Sequence, residues 1–299
     1  MPHYSGIAIS KACILFEEII WMNDLNGKVI IITGASGGIG EAAARAFDRA
    51  GSRIVLVSRR EDKLKEIALK LKDALVIPAD LSDEGQARGM IEKTIDHYGR
   101  LDILMNNAAN IMVVNAENVS TEDFLKAFMT NLCGPALATR LAFAQMEAQE
   151  SGHIINIGSP GFMLGIPFYA PYVCSKAAFS AWTRTIQAEW ADSCVKISEY
   201  FPGYIRTDSK PESRLGDINQ DFLMEEKQNF IARHFTKPQS PEQVAKQLVR
   251  LAIRPRALMC SSFQVRLGAF ISNFPSFRIN IASQMAKTAR SKMKINQNP

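Results

Sequence analysis

Apolar and polar positions along the chain fall into short blocks of two alternating kinds. Residues 28–33 (KVIIIT) form a β-branched run that stops at a cluster of glycines, the pattern of a strand buried on both faces. Residues 38–50 carry a helical pattern, and residues 53–57 (RIVLV) read as a second strand. The alternation continues with strand 75–78 and helix 83–98, strand 102–105 and helix 121–148, and strand 153–157 and helix 172–191. Strand 195–201 closes the series. Strands alternating with long helices predict βαβ units, hence an α/β fold: a doubly wound parallel sheet with helices on both faces and right-handed crossovers. Ligands in such sheets bind beyond the carboxyl ends of the strands, so functional residues are expected just after them.

Composition and charge add limits. The 299 residues are 47% hydrophobic and 22% charged, an ordinary globular balance. No apolar run approaches the roughly 20 residues needed to span a bilayer. The stretch 7–22 is broken by Lys11, Glu17 and Glu18 and has no small-residue cleavage site after it, so it does not read as a signal peptide. Five cysteines, with no C-x-x-C pair, argue for reduced thiols in a cytoplasmic compartment rather than a disulfide framework or a zinc site. The four histidines have no ligand spacing, and no metal is predicted. Residues 254–299 hold eight Lys or Arg and no Asp or Glu; with +5 for the whole chain, residues 1–253 carry −3. The basic character therefore belongs to a tail, and nucleic-acid binding is not expected.

Candidate chemistry begins after the first strand. Gly34, Ser36, Gly37, Gly38, Ile39 and Gly40 belong to a loop with four glycines in seven positions, spaced G-x-x-x-G-x-G. Such a loop lets backbone approach a pyrophosphate at a helix N-terminus, where unpaired N–H groups and the dipole favour anions. A plain strand–helix turn rarely needs that many glycines. The second strand ends in Ser58-Arg59-Arg60, where a dinucleotide's adenosine ribose would lie. An acidic residue there would repel a 2′-phosphate, whereas arginine favours one, so NADP(H) is the expected cofactor. The plainer alternative is a pair of solvated arginines opening a helix.

Tyr172-Val-Cys-Ser-Lys176 opens a long helix and places the phenol and the ammonium on one face. A phenol ordinarily titrates near 10; lowering that by about three units takes roughly 4 kcal/mol of differential stabilisation, which a neighbouring ammonium can help to supply. Alone, Y-x-x-x-K is weak evidence, since such pairs often lie on solvated helix faces.

In combination these motifs resemble the short-chain dehydrogenase/reductase family, over about residues 25–255. The resemblance rests on the glycine loop, Asp80 in Ala-Asp-Leu81, Asn106-Asn107-Ala108, Asn131 in a long helix, and Ser159, which stands 13 residues before Tyr172. It continues through Tyr172/Lys176 and Pro202-Gly203 to Thr207. It implies a Rossmann-like single domain and a reaction interconverting a ketone and a secondary alcohol by hydride transfer. Tyr172 would be the general acid or base, and Ser159 would stabilise charge on the substrate oxygen. Lys176 would hold the nicotinamide ribose and lower the tyrosine pKa, while Asn131 would keep a water in a proton relay. Asp80 and Leu81 would border adenine, Asn107 and Ala108 would pack near the cofactor, and Pro202, Gly203 and Thr207 would touch it. Homo-oligomerisation is also expected from the family. Three departures stand out: Ala109 replaces a glycine, Gly158 stands where many members have a second serine, and the usual final strand ending in Asp-Gly-Gly is missing.

Phe162, Met163, Leu164, Ile166, Pro167 and Phe168, with Leu215, Phe222, Leu223, Met224, Phe230, Ile231 and Phe235 later, lie in segments that border the substrate in the family, so the resemblance implies a lipophilic substrate: steroid-like, long-chain or a bulky carbonyl. Plain core packing is the alternative. The resulting organisation is an N-terminal extension (1–24, with Met22 resembling a natural start), a catalytic domain (25–255, with a substrate lid at 208–238) and a basic tail (256–299). Phe277, Ile281 and Met285 in that tail, flanked by Arg and Lys, suit an amphipathic helix that packs on the domain or on a partner, or else contacts a membrane surface. A sugar-nucleotide epimerase or dehydratase of a related fold, and a non-catalytic NADP(H) sensor, are the rival readings. The first usually has a different glycine spacing, and the second commonly lacks the tyrosine or the lysine.

Overall fold

In a computed structural model of the chain, the structure describes residues 23–205, 212–213, 238–271, 279, 282–284 and 287. In chain order the described strands are β1 (Val29–Thr33), β2 (Arg53–Ser58), β3 (Ala74–Pro78), β4 (Ile103–Asn106), β5 (Met112–Val113), β6 (Gly152–Ile157), β7 (Val195–Phe201), β8 (Glu212–Ser213) and β9 (Leu258–Cys260). Seven of them form one sheet in the order β3-β2-β1-β4-β6-β7-β9, with every neighbouring pair parallel. β5 and β8 form a separate parallel pair. The architecture is the Rossmann-like doubly wound sheet that the alternation predicted.

The described helices are α1 (Gly38–Arg49), α2 (Glu61–Ala68), α3 (Glu84–Tyr98), α4 (Thr121–Phe128), α5 (Gly134–Ala148), α6 (Gly161–Leu164), α7 (Ala170–Glu189), α8 (Pro241–Ile253) and α9 (Phe263–Ile271). All five residues of β1 are buried, as a central strand of branched side chains covered on both faces should be. One core layer joins β1, β2 and β4 to α1 and α8, with Phe47, Val244 and Leu248 fully buried. The other joins the opposite sheet face to α3, α5 and α7, through Met90, Ala142 and Ile186. Helix ends follow local chemistry. The Asp83 side chain accepts from the Gln86 amide to start α3, and Gly99 ends it at a φ of 71°. Ser240 and Gln243 make a capping box on α8.

Two expectations need correction. The sheet does not close at β7: Leu258–Cys260 pairs in parallel with it, with Glu199, Tyr200 and Phe201 opposite Leu258, Met259 and Cys260. The seventh strand therefore exists without an Asp-Gly-Gly ending, and it lies past residue 255, where the tail was expected to begin. The helix expected at 121–148 is also interrupted, by a π turn at Met129–Cys133. Pro135 explains it. It has no N–H to donate to the Asn131 carbonyl four residues back, and its ring crowds that carbonyl in an α-helix. The Gly134 amide reaches back five residues to the Met129 carbonyl instead.

Among the described residues, no helix is long and apolar enough to cross a membrane. Thr207 and the apolar residues named between 215 and 235 lie outside the described residues, as do Phe277, Ile281 and Met285 of the tail. So does almost all of residues 1–24.

Candidate active site

The glycine loop connects β1 to α1, and the β4 segment locks it. The Thr33 hydroxyl donates to the Met105 carbonyl at 3.2 Å and accepts from the Asn107 and Ala108 amides at 2.9 and 3.0 Å. The Asn107 side chain donates to the Thr33 and Gly34 carbonyls at 2.9 and 3.3 Å. Gly34 has a φ of 68°, and a Cβ there would lie 2.9 Å from the Ala108 Cα. A Cβ on Gly40 would run into the Gly34 carbonyl. These two glycines are thus required by backbone packing inside the loop. Gly37 is different: the nearest atom to a Cβ there is an Arg60 nitrogen at 3.4 Å. Gly37 precedes α1 without any side-chain cap, so the first amides of α1, at Gly38 and Ile39, have no capping oxygen from it. That arrangement suits a phosphate. A cleft of ≈ 590 Å³ runs along Ser36, Gly37 and Gly38 and is bordered by Arg60 and Lys63.

Both arginines follow β2, and Arg60 reaches this loop. The Arg60 guanidinium donates to the Ser36 carbonyl at 2.8 Å and to its hydroxyl at 2.9 and 3.1 Å, while the Arg60 amide donates to the Ser58 hydroxyl. Those partners are neutral, so they leave Arg60's charge uncompensated. Arg59 is exposed and lies 3.7 Å from Asp80. Burial pushes the Asp80 carboxyl up, but hydrogen bonds from Ser82 and the nearby Arg59 outweigh it and hold the group below its usual value. Leu81 is buried, its carbonyl pressed against Gly134 at the start of α5. A bare helix start with the Arg60 guanidinium beside it fits a dinucleotide's phosphates.

Ser159, Tyr172 and Lys176 meet at the carboxyl end of β6. Ser159 follows the strand directly, and its hydroxyl accepts from the Gly161 amide at 3.2 Å. It also lies near enough to the Tyr172 phenol to act on its titration. Burial pushes that phenol up from its ordinary value, and the Ser159 contact pulls it down. Lys176, one turn along α7, is 2% exposed, and its ammonium donates to the Ile157 carbonyl at 2.8 Å. Burial lowers Lys176 to about 8, against the upward pull of Glu199. A phenol and a serine hydroxyl, with a buried ammonium one helical turn along, are placed to pass a proton to or from a bound oxygen.

Asn131 occupies the π turn, fully buried. Its amide accepts from the Asn110 backbone at 2.6 Å and donates to the Asn110 carbonyl at 2.9 Å and the Ser175 hydroxyl at 2.8 Å. Ser175 in turn donates to the Tyr172 carbonyl at 2.8 Å. The Asn131 side chain therefore reaches α7 through Ser175, not through Lys176. Asn110 and Ser175 were not singled out from the sequence; Ser175 lay inside the Tyr–Lys motif, while nothing local marked Asn110.

Beneath this cluster a polar row crosses the sheet. Register places Asn106 opposite Asn156, and Asn156 opposite Glu199. Asn106 donates to Thr139 and to Asn156, each at 2.9 Å, and Asn156 donates to Thr183 at 3.0 Å. Pro202 and Gly203 follow β7, with Gly203 close to Ser261 and Gln239. Between Ser159 and Tyr172, Phe162, Met163, Leu164, Ile166 and Phe168 are all partly buried. Ile166 and Phe168 pack with Val113, Tyr169 and Tyr172, and Phe162 meets Phe201 edge to face with ring centres 5.9 Å apart.

Comparison with known proteins agrees with this geometry. A model of the short chain dehydrogenase family matches residues 28–217. An uncharacterized oxidoreductase of Thermotoga maritima is 36% identical over 184 residues, which are 60% of this chain and 72% of that protein. An 11-beta-hydroxysteroid dehydrogenase-like 4A protein of Arabidopsis thaliana is 33% identical over 254 residues, 83% of this chain and 81% of that one. Among solved structures, a 3-ketoacyl-(acyl-carrier-protein) reductase from Brucella melitensis complexed with NADH superposes with a TM-score of 0.69 at 26% identity, covering 78% of this chain and 96% of that one. The chain belongs to the short chain dehydrogenase family, whose members are nicotinamide-dependent oxidoreductases.

Proposed function

We propose that the chain is an NADP(H)-dependent oxidoreductase that interconverts a lipophilic ketone and its secondary alcohol. The observation that carries this reading is the gathering of Ser159, Tyr172 and Lys176 at the carboxyl end of β6, with the Lys176 ammonium held on the Ile157 carbonyl at 2.8 Å. The nicotinamide supplies or accepts the hydride. In reduction, Tyr172 donates its proton to the carbonyl oxygen while Ser159 hydrogen-bonds the same oxygen as negative charge grows there. Lys176, charged, favours the resulting phenolate; in oxidation the phenolate takes the proton back. Asn131 fixes α7 against the segment after β4, which keeps the phenol in line.

The preference for NADP(H) is supported by Arg59 and Arg60 at the end of β2, where a 2′-phosphate would meet two guanidinium groups. The lipophilic substrate is supported by the partly buried apolar residues between Ser159 and Tyr172. The experiment is a panel of small polar, long-chain and steroidal ketones, with their alcohols, assayed in both directions with NADPH and NADH. The proposal expects turnover of the lipophilic members with NADPH. Turnover restricted to small polar ketones, or to NADH, contradicts it.

A further inference from the structure

A buried carboxylate lies on β7, outside the Ser159, Tyr172 and Lys176 cluster. Along this strand Ile197, Glu199 and Phe201 face α7, as shown by Ile197 packing with Ile186 and Trp182. Glu199 is 1% exposed in the middle of a parallel sheet, where an uncompensated carboxylate is costly. Lys176, Ser180 and Arg184 follow one another at four-residue intervals along one face of α7. Arg184, at the exposed end of that stripe, brings its Nε to 3.7 Å from Glu199 Oε2. Glu199 Oε1 makes no hydrogen bond among the described residues.

The position of Oε1 ties this carboxylate to the active site. It lies 3.1 Å from where a Cβ on Gly158 would be. The Lys176 ammonium is 2.8 Å from the carbonyl of Ile157. The two charges therefore flank a single peptide, Ile157–Gly158, at the end of β6. A Cβ on residue 158 would also lie 2.5 and 2.7 Å from carbons of the Phe201 ring. Gly158, where a second serine is common in the family, is thus what makes room for Glu199 and Phe201.

We infer that Glu199 is the buried counter-charge of Lys176, anchored from the surface by Arg184, and that it acts as a positioning residue keeping the ammonium charged beside Tyr172. The inference rests on the reaction proposed above for its link to catalysis. The remaining groups facing the pair are Tyr172 on α7, the Cys260 thiol on β9 and, beside that thiol, Arg266 on α9. Burial drives the Glu199 carboxyl up, opposed by Ser180, then Arg184 and then Lys176, and it drives the Lys176 ammonium down, opposed by Glu199. Removing the carboxylate leaves burial unopposed, so Lys176 loses its proton at lower pH.

The test is the pH dependence of Lys176 acylation in the full chain, measured by competitive labelling with acetic anhydride and mass spectrometry. Glu199→Gln should move the midpoint down by about one pH unit, the usual effect of losing a nearby opposite charge. Glu199→Asp, which keeps the charge, should stay closer to the unsubstituted protein. An unmoved midpoint in the folded Gln variant, or equal shifts in both variants, overturns the inference. This readout needs no turnover, so it stands apart from the fate of the proposed reaction. If the Gln variant does not fold, 13C NMR of the unsubstituted chain labelled at glutamate Cδ decides instead, with the signal assigned through Glu199→Asp. An ionised Glu199 at pH 7.5 supports the inference, and a protonated one overturns it. The pH profile of ketone reduction in Glu199→Gln should shift with the labelling midpoint; a profile that stays put while the midpoint moves removes the catalytic part.

Discussion

The Asn131 amide donates to the Ser175 hydroxyl at 2.8 Å, joining the π turn of one helix to the third residue after Tyr172 on another. The same amide pairs in both directions with the Asn110 backbone. One buried side chain thus fixes three segments around the proposed acid.

Asn131→Ala removes all three hydrogen bonds and leaves the Asn110 backbone and the Ser175 hydroxyl short of partners. Unsatisfied buried polar groups cost about 1–3 kcal/mol, and the loss should appear as a lower unfolding midpoint in urea. Turnover should fall further than stability does, because Tyr172 loses its alignment. Asn131→Asp keeps the acceptor for the Asn110 amide but not the donor, and should be intermediate in stability.

Arg59→Ala and Arg60→Ala should weaken NADPH far more than NADH. Charge-assisted bonds to a phosphate are worth about 1.5–3 kcal/mol, or roughly 10- to 150-fold in affinity. Steady-state kcat/KM with both cofactors checks this. Equal losses with NADPH and NADH would show that the arginines do not meet a 2′-phosphate. Because Arg60 also braces Ser36 of the glycine loop, its substitution should cost NADH something as well, whereas Arg59→Ala should leave NADH nearly unchanged.

His153 predicts the acid limit of the fold. It is buried in β6, with Nε2 2.8 Å from the Ser198 hydroxyl. Burial lowers its imidazole to about 4, against a slight upward pull from the Ala252 carbonyl. Between that value and its ordinary 6.5, the unfolded chain binds a proton that the folded chain refuses. Stability is therefore intact above about pH 6.5 and falls as pH drops toward 4, by about 3 kcal/mol in total from this group. Urea denaturation at several pH values should show the slope, and His153→Gln should flatten it.

Much of this was legible along the chain. β1, β2 and β6 declare themselves by runs of Val, Ile and Leu that tolerate burial on both faces, and their observed ends lie within one residue of those expected. The Tyr172, Lys176 and Ser159 cluster was readable because its spacing survives in sequence. What escaped depends on contacts between distant segments. β9 is three residues, Leu-Met-Cys, with no alternation to mark it, and becomes a strand only by pairing with β7. The π turn is set by Pro135, four residues after Asn131, a spacing that leaves the hydrophobic pattern of the helix unbroken. Glu199 reads along the chain as an ordinary charged residue, and only the register of β6 with β7 and the bare Cα of Gly158 reveal it at the carboxyl end of β6.

The most direct test of the whole account is Tyr172→Phe, which removes one oxygen and leaves the ring in place. NADPH oxidation should be followed against a lipophilic ketone, with cofactor binding and thermal stability measured on the same protein. The account predicts a kcat lower by about 10²- to 10⁴-fold, the usual contribution of a positioned general acid, with NADPH affinity and folding largely retained. Turnover equal to that of the unsubstituted enzyme would contradict it.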